Sequence, residues 1–368
     1  MTFQISKENY EKSYLDSMYV ISHSQNTVKS YRTRIRLFRG FLKENYNIDE
    51  YDLLDHLKTG GLDIFKILKE FVIFLDKSGK SARTIHLALS VNRGYLRHMG
   101  IKIDSDDLKQ LVKVPKVVKI REIPLDKEII VRLLRNAKPK LQLAILVAVS
   151  TGMRIGEIVN LKISDIDFSQ NPVKVYLRAN TTKTRQSRET FLTAEAANAL
   201  KDYLKRYHKW SEGTRDPQIQ DKQIFATVYR HRGPFVAESI IATLQTELRY
   251  LVRAIPDLNV KDENGRQSIH LHSFRKYFRT TVGNVVGRDF AEAIIGHGFY
   301  MDTYYQLSDE KKREMYLEVE PYLTISDFQK VESNIKQMNE KYQDLENKMT
   351  SLMNYLRLNK IEVPQNPI

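Results

Sequence analysis

Across residues 27 to 43, TVKSYRTRIRLFRGFLK, the apolar positions Val28, Tyr31, Ile35, Phe38 and Leu42 recur at spacings of three and four, while Lys29, Arg32, Arg34, Arg36, Arg39 and Lys43 fill other positions. This period predicts an amphipathic helix with one apolar stripe under a basic surface. The segment SARTIHLALSVNRGYLRHMG, 81 to 100, begins in the same way: Ser24 and Thr27-Val28 are echoed by Ser81 and Thr84-Ile85, and both serines are candidate N-caps. Around KVPKVVKIREIP, 113 to 124, two prolines and β-branched residues break the helical period, and a new amphipathic helix starts at LDKEIIVRLL. LQLAILVAV, 141 to 149, is apolar on every side and reads as a buried core helix. Alternating patterns follow at PVKVYLRA and SRETFLTA, and the NTTKTRQ between them predicts a β-hairpin with a basic, polar tip. Helical patterns resume after 194. From Phe328 a seam of Phe328, Val331, Ile335, Met338, Tyr342, Leu345, Met349, Leu352 and Leu356 alternates spacings of three and four, which predicts a coiled-coil helix of about four heptads.

The pattern divides the chain into a helical domain (1–112), a linker (113–124), a second domain (125–322), a heptad helix (323–358) and a short end (359–368). The fold class expected is mainly α with a small β-sheet. A length of 368 residues accommodates two ordinary domains.

Charge narrows the partner. Lys plus Arg number 59 against 45 Asp plus Glu, a formal charge of +14, which calls for an anion, most often nucleic acid. The candidate backbone contacts are Lys29, Arg32, Arg36 and Arg39 on the first basic helix, and Arg83, Arg93 and Arg97 on the second. No run approaches the roughly 18 apolar residues of a membrane span, and MTFQISKENYEKSY lacks a signal-peptide core, so a soluble, cytoplasmic protein is expected. With no cysteine there is neither a disulfide framework nor a thiolate metal site. Any chemistry falls to Arg, Lys, His, Tyr, Ser or carboxylates.

Four stretches of the second domain carry candidates, each with an ordinary reading if taken alone. TGMRIGEI places Arg154 and Glu157 one helical turn apart, as surface ion pairs often are. Lys183 sits in the hairpin tip. HLHSFRKYFRTT sets His272 and Arg275 on one helix face, while His270 and His272 alone make a weak metal site. IGHGFYMDTYYQLS brings His297 close to Tyr304 and Tyr305.

Taken in order, TG-x-R-x-x-E, a hairpin lysine, H-x-x-R, G-H and a tyrosine resemble the tyrosine recombinases, the phage-type and Xer-like integrases, over the whole chain except its tail. The resemblance implies a helical core-binding domain, an α+β catalytic domain, and cleavage and rejoining of double-stranded DNA through a 3′-phosphotyrosine, with no cofactor and no metal. It implies that Arg154 and Arg275 clamp the scissile phosphate, that His272 and His297 bond it or move protons, that Lys183 protonates the leaving 5′ oxygen and that Glu157 supports the arginines. Planar guanidiniums suit this chemistry because they bind charge developing on non-bridging oxygens in a bidentate way.

Lys276 stands where many relatives have a second histidine. Tyr304-Tyr305-Gln306-Leu307-Ser308 resembles Y-x-H-[LV]-S, which puts the nucleophile at Tyr304, with Tyr305 as the alternate. The resemblance also implies a homo-oligomer on DNA, tetrameric at synapsis, encoded by a prokaryote or virus. Two other readings share these residues: a type IB topoisomerase-like relaxing enzyme, and a catalytically silent DNA-binding architectural protein.

Overall fold

The computed structural model describes residues 9–117, 124–226, 236–261, 267–296, 307–326 and 341–354. The chain divides into two compact units, Met1–Arg121 and Glu122–Ile368. Among the described residues no helix is long and apolar enough to cross a membrane.

The first unit is helical: α1 (Asn9–Ser22), α2 (Gln25–Tyr46), α3 (Glu50–Lys58), α4 (Ile64–Lys77), α5 (Ala82–His98) and α6 (Ser105–Leu111). The two echoed serines do cap helices. Ser24 Oγ accepts from the Thr27 N–H at 3.3 Å, and Ser81 Oγ from the Thr84 N–H at 3.3 Å. The apolar stripe of α2 buries Val28, Ile35, Phe38, Phe41 and Leu42. Phe38 meets Phe71 of α4 edge-on at 5.1 Å, and Ile85, Ala88 and Leu96 of α5 complete that core. Each large side chain so buried contributes about 1.5–3 kcal/mol. Buried Asn92 of α5 donates to the Arg34 carbonyl of α2 at 3.1 Å and to Ala88 at 2.8 Å, which fixes the two basic helices against each other.

The second unit opens with α7 (Lys127–Asn136), capped by Asp126, whose carboxylate accepts from the Ile129 N–H at 2.8 Å. Next comes α8 (Pro139–Thr151), apolar all round as its sequence predicts and buried from Leu143 to Thr151 except at Leu146. Then follow α9 (Ile155–Val159), β1 (Ile166–Asp167), β2 (Val173–Leu177), β3 (Arg188–Leu192), α10 (Ala194–His208), α11 (Pro217–Gln220), α12 (Ala237–Ala254), α13 (Leu271–Val285), α14 (Arg288–Ile295) and α15 (Asp309–Leu323). The sheet is antiparallel in the order β1-β2-β3, and the expected hairpin runs in register from Val173 opposite Leu192 to Leu177 opposite Arg188.

Helix α8 is the centre of this unit and packs against α10, α13 and β3. The last helix of the core, α15, closes on it: buried Tyr316 donates its hydroxyl to the Ser150 carbonyl at 2.7 Å. Beyond α15 the chain is pinned to the start of α10, where the Glu195 carboxylate accepts from the backbone N–H groups of Ile325 and Ser326, each at 2.7 Å. Residues 341–354 are helical and exposed. Most of the predicted heptad seam, from Phe328 to Met338 and at Leu356, lies outside the described residues.

Candidate active site

The site is assembled by the way α8 ends. Gly152 takes the left-handed conformation, φ 63°, and a Cβ there would lie 2.3 Å from Cδ1 of Phe278. Glycine is required twice over, by conformation and by close approach. The reversal carries Arg154 to the start of α9, where its backbone N–H donates to Glu157 Oε2 at 2.8 Å and its Nη1 donates to Oε1 at 3.0 Å. The pair is no surface bridge, because Glu157 is 3% exposed.

A third residue, Arg188 at the start of β3, grips the same carboxylate from the other side. Its Nη2 donates to Oε2 at 2.6 Å and its Nη1 to Oε1 at 3.3 Å, while Nε donates to the Ile294 carbonyl at 3.1 Å. Burial alone would raise the Glu157 carboxyl, but the hydrogen bonds and charge of Arg188, and then of Arg154, outweigh it and hold the group below the usual carboxylate range.

Arg275 enters from α13, is 2% exposed, and is bonded to no carboxylate among the described residues. Its Nη1 donates to the Gly152 carbonyl at 2.6 Å and its Nη2 to the Ile295 carbonyl at 2.8 Å; Nε is buried without a partner. Burial first, and then the positive charge of Arg154, push its pKa down to about 10. Two guanidiniums therefore bond the Glu157 carboxylate, and the third, Arg275, feels its charge without bonding it. Glu292, which also acts on Arg275, is itself engaged by Arg279 Nε at 2.5 Å. The cluster keeps an excess of positive charge inside a partly desolvated site, which an anion with several acceptor oxygens would satisfy.

His272 stands one turn before Arg275 on α13. Partial burial of the ring, then the charges of Arg275, Lys276, His270 and Arg154, push its pKa down to about 4. Its imidazole is thus neutral near pH 7. His270 serves the helix start instead: its Nδ1 lies 2.9 Å from Ser273 Oγ, and its backbone N–H donates to the same oxygen at 3.2 Å. Among the described residues, no three His, Cys, Asp or Glu side chains gather as metal ligands would.

The structure brings together Arg154, Glu157 and Arg275, and places His272 within reach of their charge. Lys183 is exposed at the turn between β2 and β3, apart from the hydrogen-bonded cluster. His297, Tyr304 and Tyr305 lie outside the described residues. The segment leading into them is held, however. Arg188 and Arg275 bond the carbonyls of Ile294 and Ile295, and Gly296, φ 67°, lies so close to Arg188 that a Cβ would stand 2.9 Å from its Cδ.

Arg188 was not legible as a site residue. Its only signal is an arginine opening a strand that otherwise reads Thr-Phe-Leu toward the core.

On the first unit, Lys29, Arg36, Arg83 and Arg97 are exposed. Arg32 is also exposed but lies 3.5 Å from Glu11. Arg39 is engaged by two carboxylates, with its Nη1 donating to Glu11 at 2.5 Å and its Nε to buried Glu50 at 2.5 Å. Arg93 is half-buried and bonded to Ser105 Oγ.

Comparison with known proteins adds an independent line. Residues 124–306 match the model of the phage integrase family. The tyrosine recombinase XerC of Staphylococcus aureus is 24% identical over 320 residues, covering 81% of this chain and 91% of the relative. The tyrosine recombinase XerA of Pyrococcus furiosus is 25% identical over 183 residues, 50% of this chain, and that match spans 56% of the relative's length. A lambda integrase (75–356) dimer bound to a COC′ core site shares the fold with a TM-score of 0.56 at 16% identity, covering 83% of this chain and 100% of that one. A lambda integrase tetramer bound to a Holliday junction matches with a TM-score of 0.54, also at 16% identity, over 83% of this chain and 81% of that one.

Proposed function

The chain belongs to the phage integrase family of tyrosine recombinases, and on that premise we propose that it is a site-specific DNA recombinase that cuts and rejoins strands through a 3′-phosphotyrosine. The observation that carries this reading is the pair Arg154 and Arg188 on the buried carboxylate of Glu157 with buried Arg275 beside them, a cluster with positive charge to spare for a phosphate.

In this mechanism the phenolic oxygen of Tyr304 bonds to phosphorus as its proton leaves to a neighbouring base. The P–O5′ bond breaks, and Lys183 supplies the proton taken by the departing 5′ oxygen. Arg154 and Arg275 stabilise the charge that develops on the non-bridging oxygens, and His272 and His297 bond the phosphate or relay protons. Glu157 and Arg188 hold Arg154 and the backbone before His297 in place. A 5′ hydroxyl from another strand then reverses the steps. The phosphotyrosine keeps the energy of the broken linkage, so rejoining requires no nucleotide triphosphate.

The exposed basic face of α2 and α5 supplies backbone contacts to duplex DNA, and the protomers work as a homo-oligomer, tetrameric at synapsis. The bacterial and archaeal relatives support a prokaryotic or viral origin and a cytoplasmic site of action.

A nicked suicide duplex tests this reading. The expected outcome is a covalent protein–DNA adduct whose peptide carries the modification on Tyr304, lost in Tyr304→Phe with duplex binding nearly unchanged. Loss in Tyr305→Phe instead moves the nucleophile by one residue, and the absence of any adduct refutes the enzyme. Resealing onto a different duplex separates a recombinase from a relaxing enzyme.

A further inference from the structure

Residues 341–354 form a helix whose apolar side chains lie in one row and face water. Tyr342, Leu345, Met349 and Leu352 are between 59% and 72% exposed, and they follow one another at spacings of three, four and three. Gln343, Asp344, Asn347, Thr350, Ser351 and Asn354 take the outer positions, where Lys348 pairs with Asp344 at 2.8 Å. A helix this short is marginal in water on its own. Its stability must come from covering that row of apolar side chains.

The flanking charges identify what covers it. With Tyr342 and Met349 at a and Leu345 and Leu352 at d, the g positions are Lys341 and Lys348, and the e positions are Glu346 and Met353. In a parallel pair of identical helices, g of one chain faces the following e of the other. Lys341 then meets Glu346 twice by symmetry, and Lys348 lays its methylenes along Met353. In an antiparallel pair g faces g and e faces e, which sets lysine against lysine and glutamate against glutamate. The segment is therefore complementary to itself, as a twofold interface requires, and only in parallel. The attractive pair Lys341–Glu346 lies within 341–354 and sets the register there. Leucine at both d positions suits two strands.

We propose that residues 341–354 pair with the same segment of a second copy as a parallel, two-stranded coiled coil that joins two protomers tail to tail. Because Glu195 fixes Ile325 and Ser326 to α10, each tail leaves its unit from a set point. The coil links two such units at like ends. The association does not require DNA, since every group it uses belongs to the tail.

The chain contains no cysteine, so Met349→Cys in the full-length protein introduces a single thiol at an a position. In the parallel register the two thiols face each other, and mild oxidation gives a disulfide-linked dimer; Asn347→Cys, on the outer face, does not. Sedimentation of the reduced proteins without DNA provides the second readout. Lys341→Glu and Glu346→Lys each weaken dimerisation by at least about tenfold, and the double variant restores it. Equal cross-linking at 349 and 347, or a double variant no tighter than the singles, overturns the proposal. Adduct formation on the nicked duplex is scored separately, because every residue assigned to strand cleavage lies upstream of the tail.

Discussion

Arg275 in the second unit is buried, bonded to two backbone carbonyls and pressed by a neighbouring arginine's charge, whereas Arg36 in the first unit stands exposed on the outer face of α2. The side chain is the same, but the work differs. Binding a polyanion along its length needs many replaceable cations that keep their water until a phosphate displaces it. Stabilising one transition state needs a few cations held in place beforehand, where low dielectric strengthens their field. The second arrangement costs stability unless carbonyls and carboxylates hold the charges, and that accounts for buried Glu157 and for the two backbone carbonyls on Arg275.

Arg275→Ala is the sharpest way to break this comparison. Losing a pre-placed cation should slow cleavage of the nicked duplex by roughly 10²–10³-fold, while affinity for long DNA changes little. Arg154→Ala should behave likewise, and Arg275→Lys should also fail, because an ammonium cannot span both carbonyls and a phosphate. Single-turnover cleavage is the measurement, with thermal unfolding run alongside. A rate within tenfold of wild type removes that residue from the site.

Glu157→Gln tests the price of holding the charges together. The substitution leaves Arg154 and Arg188 around a neutral amide, and breaking a buried ion pair costs about 3–5 kcal/mol, so the melting temperature at pH 7 should fall by about 10 °C. The folded-state pKa of Glu157 is depressed. Its stabilisation is therefore complete above the unfolded carboxyl's pKa, and it disappears as pH falls through the folded value. The gap between wild type and Glu157→Gln should close on acidification. A gap that stays constant with pH would show that the carboxylate charge is not what Arg188 and Arg154 are held by.

How far the sequence reached differs between the two regions for the same physical reason. Ser24, Ser81, the α2 stripe and the α8 core run were legible because caps and periodicity are local. The hairpin was legible from alternation and a polar tip. Arg154, Glu157, His272 and Arg275 were singled out through motif order, yet nothing in TGMRIGEI says that Glu157 is buried or that a second arginine, 31 residues further on, shares it. Burial is decided by what α13, α14 and β3 bring from elsewhere in the chain. In the first unit the basic stripe was visible, but the engagement of Arg39 by Glu11 and Glu50 joins three different helices and leaves no trace in any of them.

That engagement sharpens the comparison on the surface side. Arg32→Gln with Arg36→Gln should flatten the dependence of log K on log salt by about 0.9 per lost phosphate contact, without a measurable change in unfolding. Arg39→Gln should do the reverse, because it leaves the carboxylate of buried Glu50 without its cation: the unit loses stability while the salt slope holds. Binding titrations over a range of salt, paired with urea unfolding, separate the two. A slope unchanged by the double variant would return that face of α2 to an ordinary solvated surface.

The smallest expected effect is also the most local. His272 sits between the two kinds of environment, exposed on α13 yet in the field of the arginine cluster, and its pKa is pushed down to about 4. Partial burial and surrounding positive charge both disfavour the imidazolium. In the free protein its ring signals should therefore stay flat from pH 8 to about 5.5 and move only near pH 4, instead of around the ordinary 6.5. A phosphate seated on Arg154 and Arg275 reverses the sign of the local field. The same histidine should then titrate higher with duplex DNA bound, by linkage, and DNA binding at the site should tighten slightly as pH falls through that window. The Arg275→Ala variant provides the control, since removing the nearest cation should raise the free-protein midpoint on its own. A histidine titrating near 6.5 in the free wild-type protein, with no shift on DNA, would mean that the cluster's field does not reach the ring, and would take His272 out of the group that meets the phosphate.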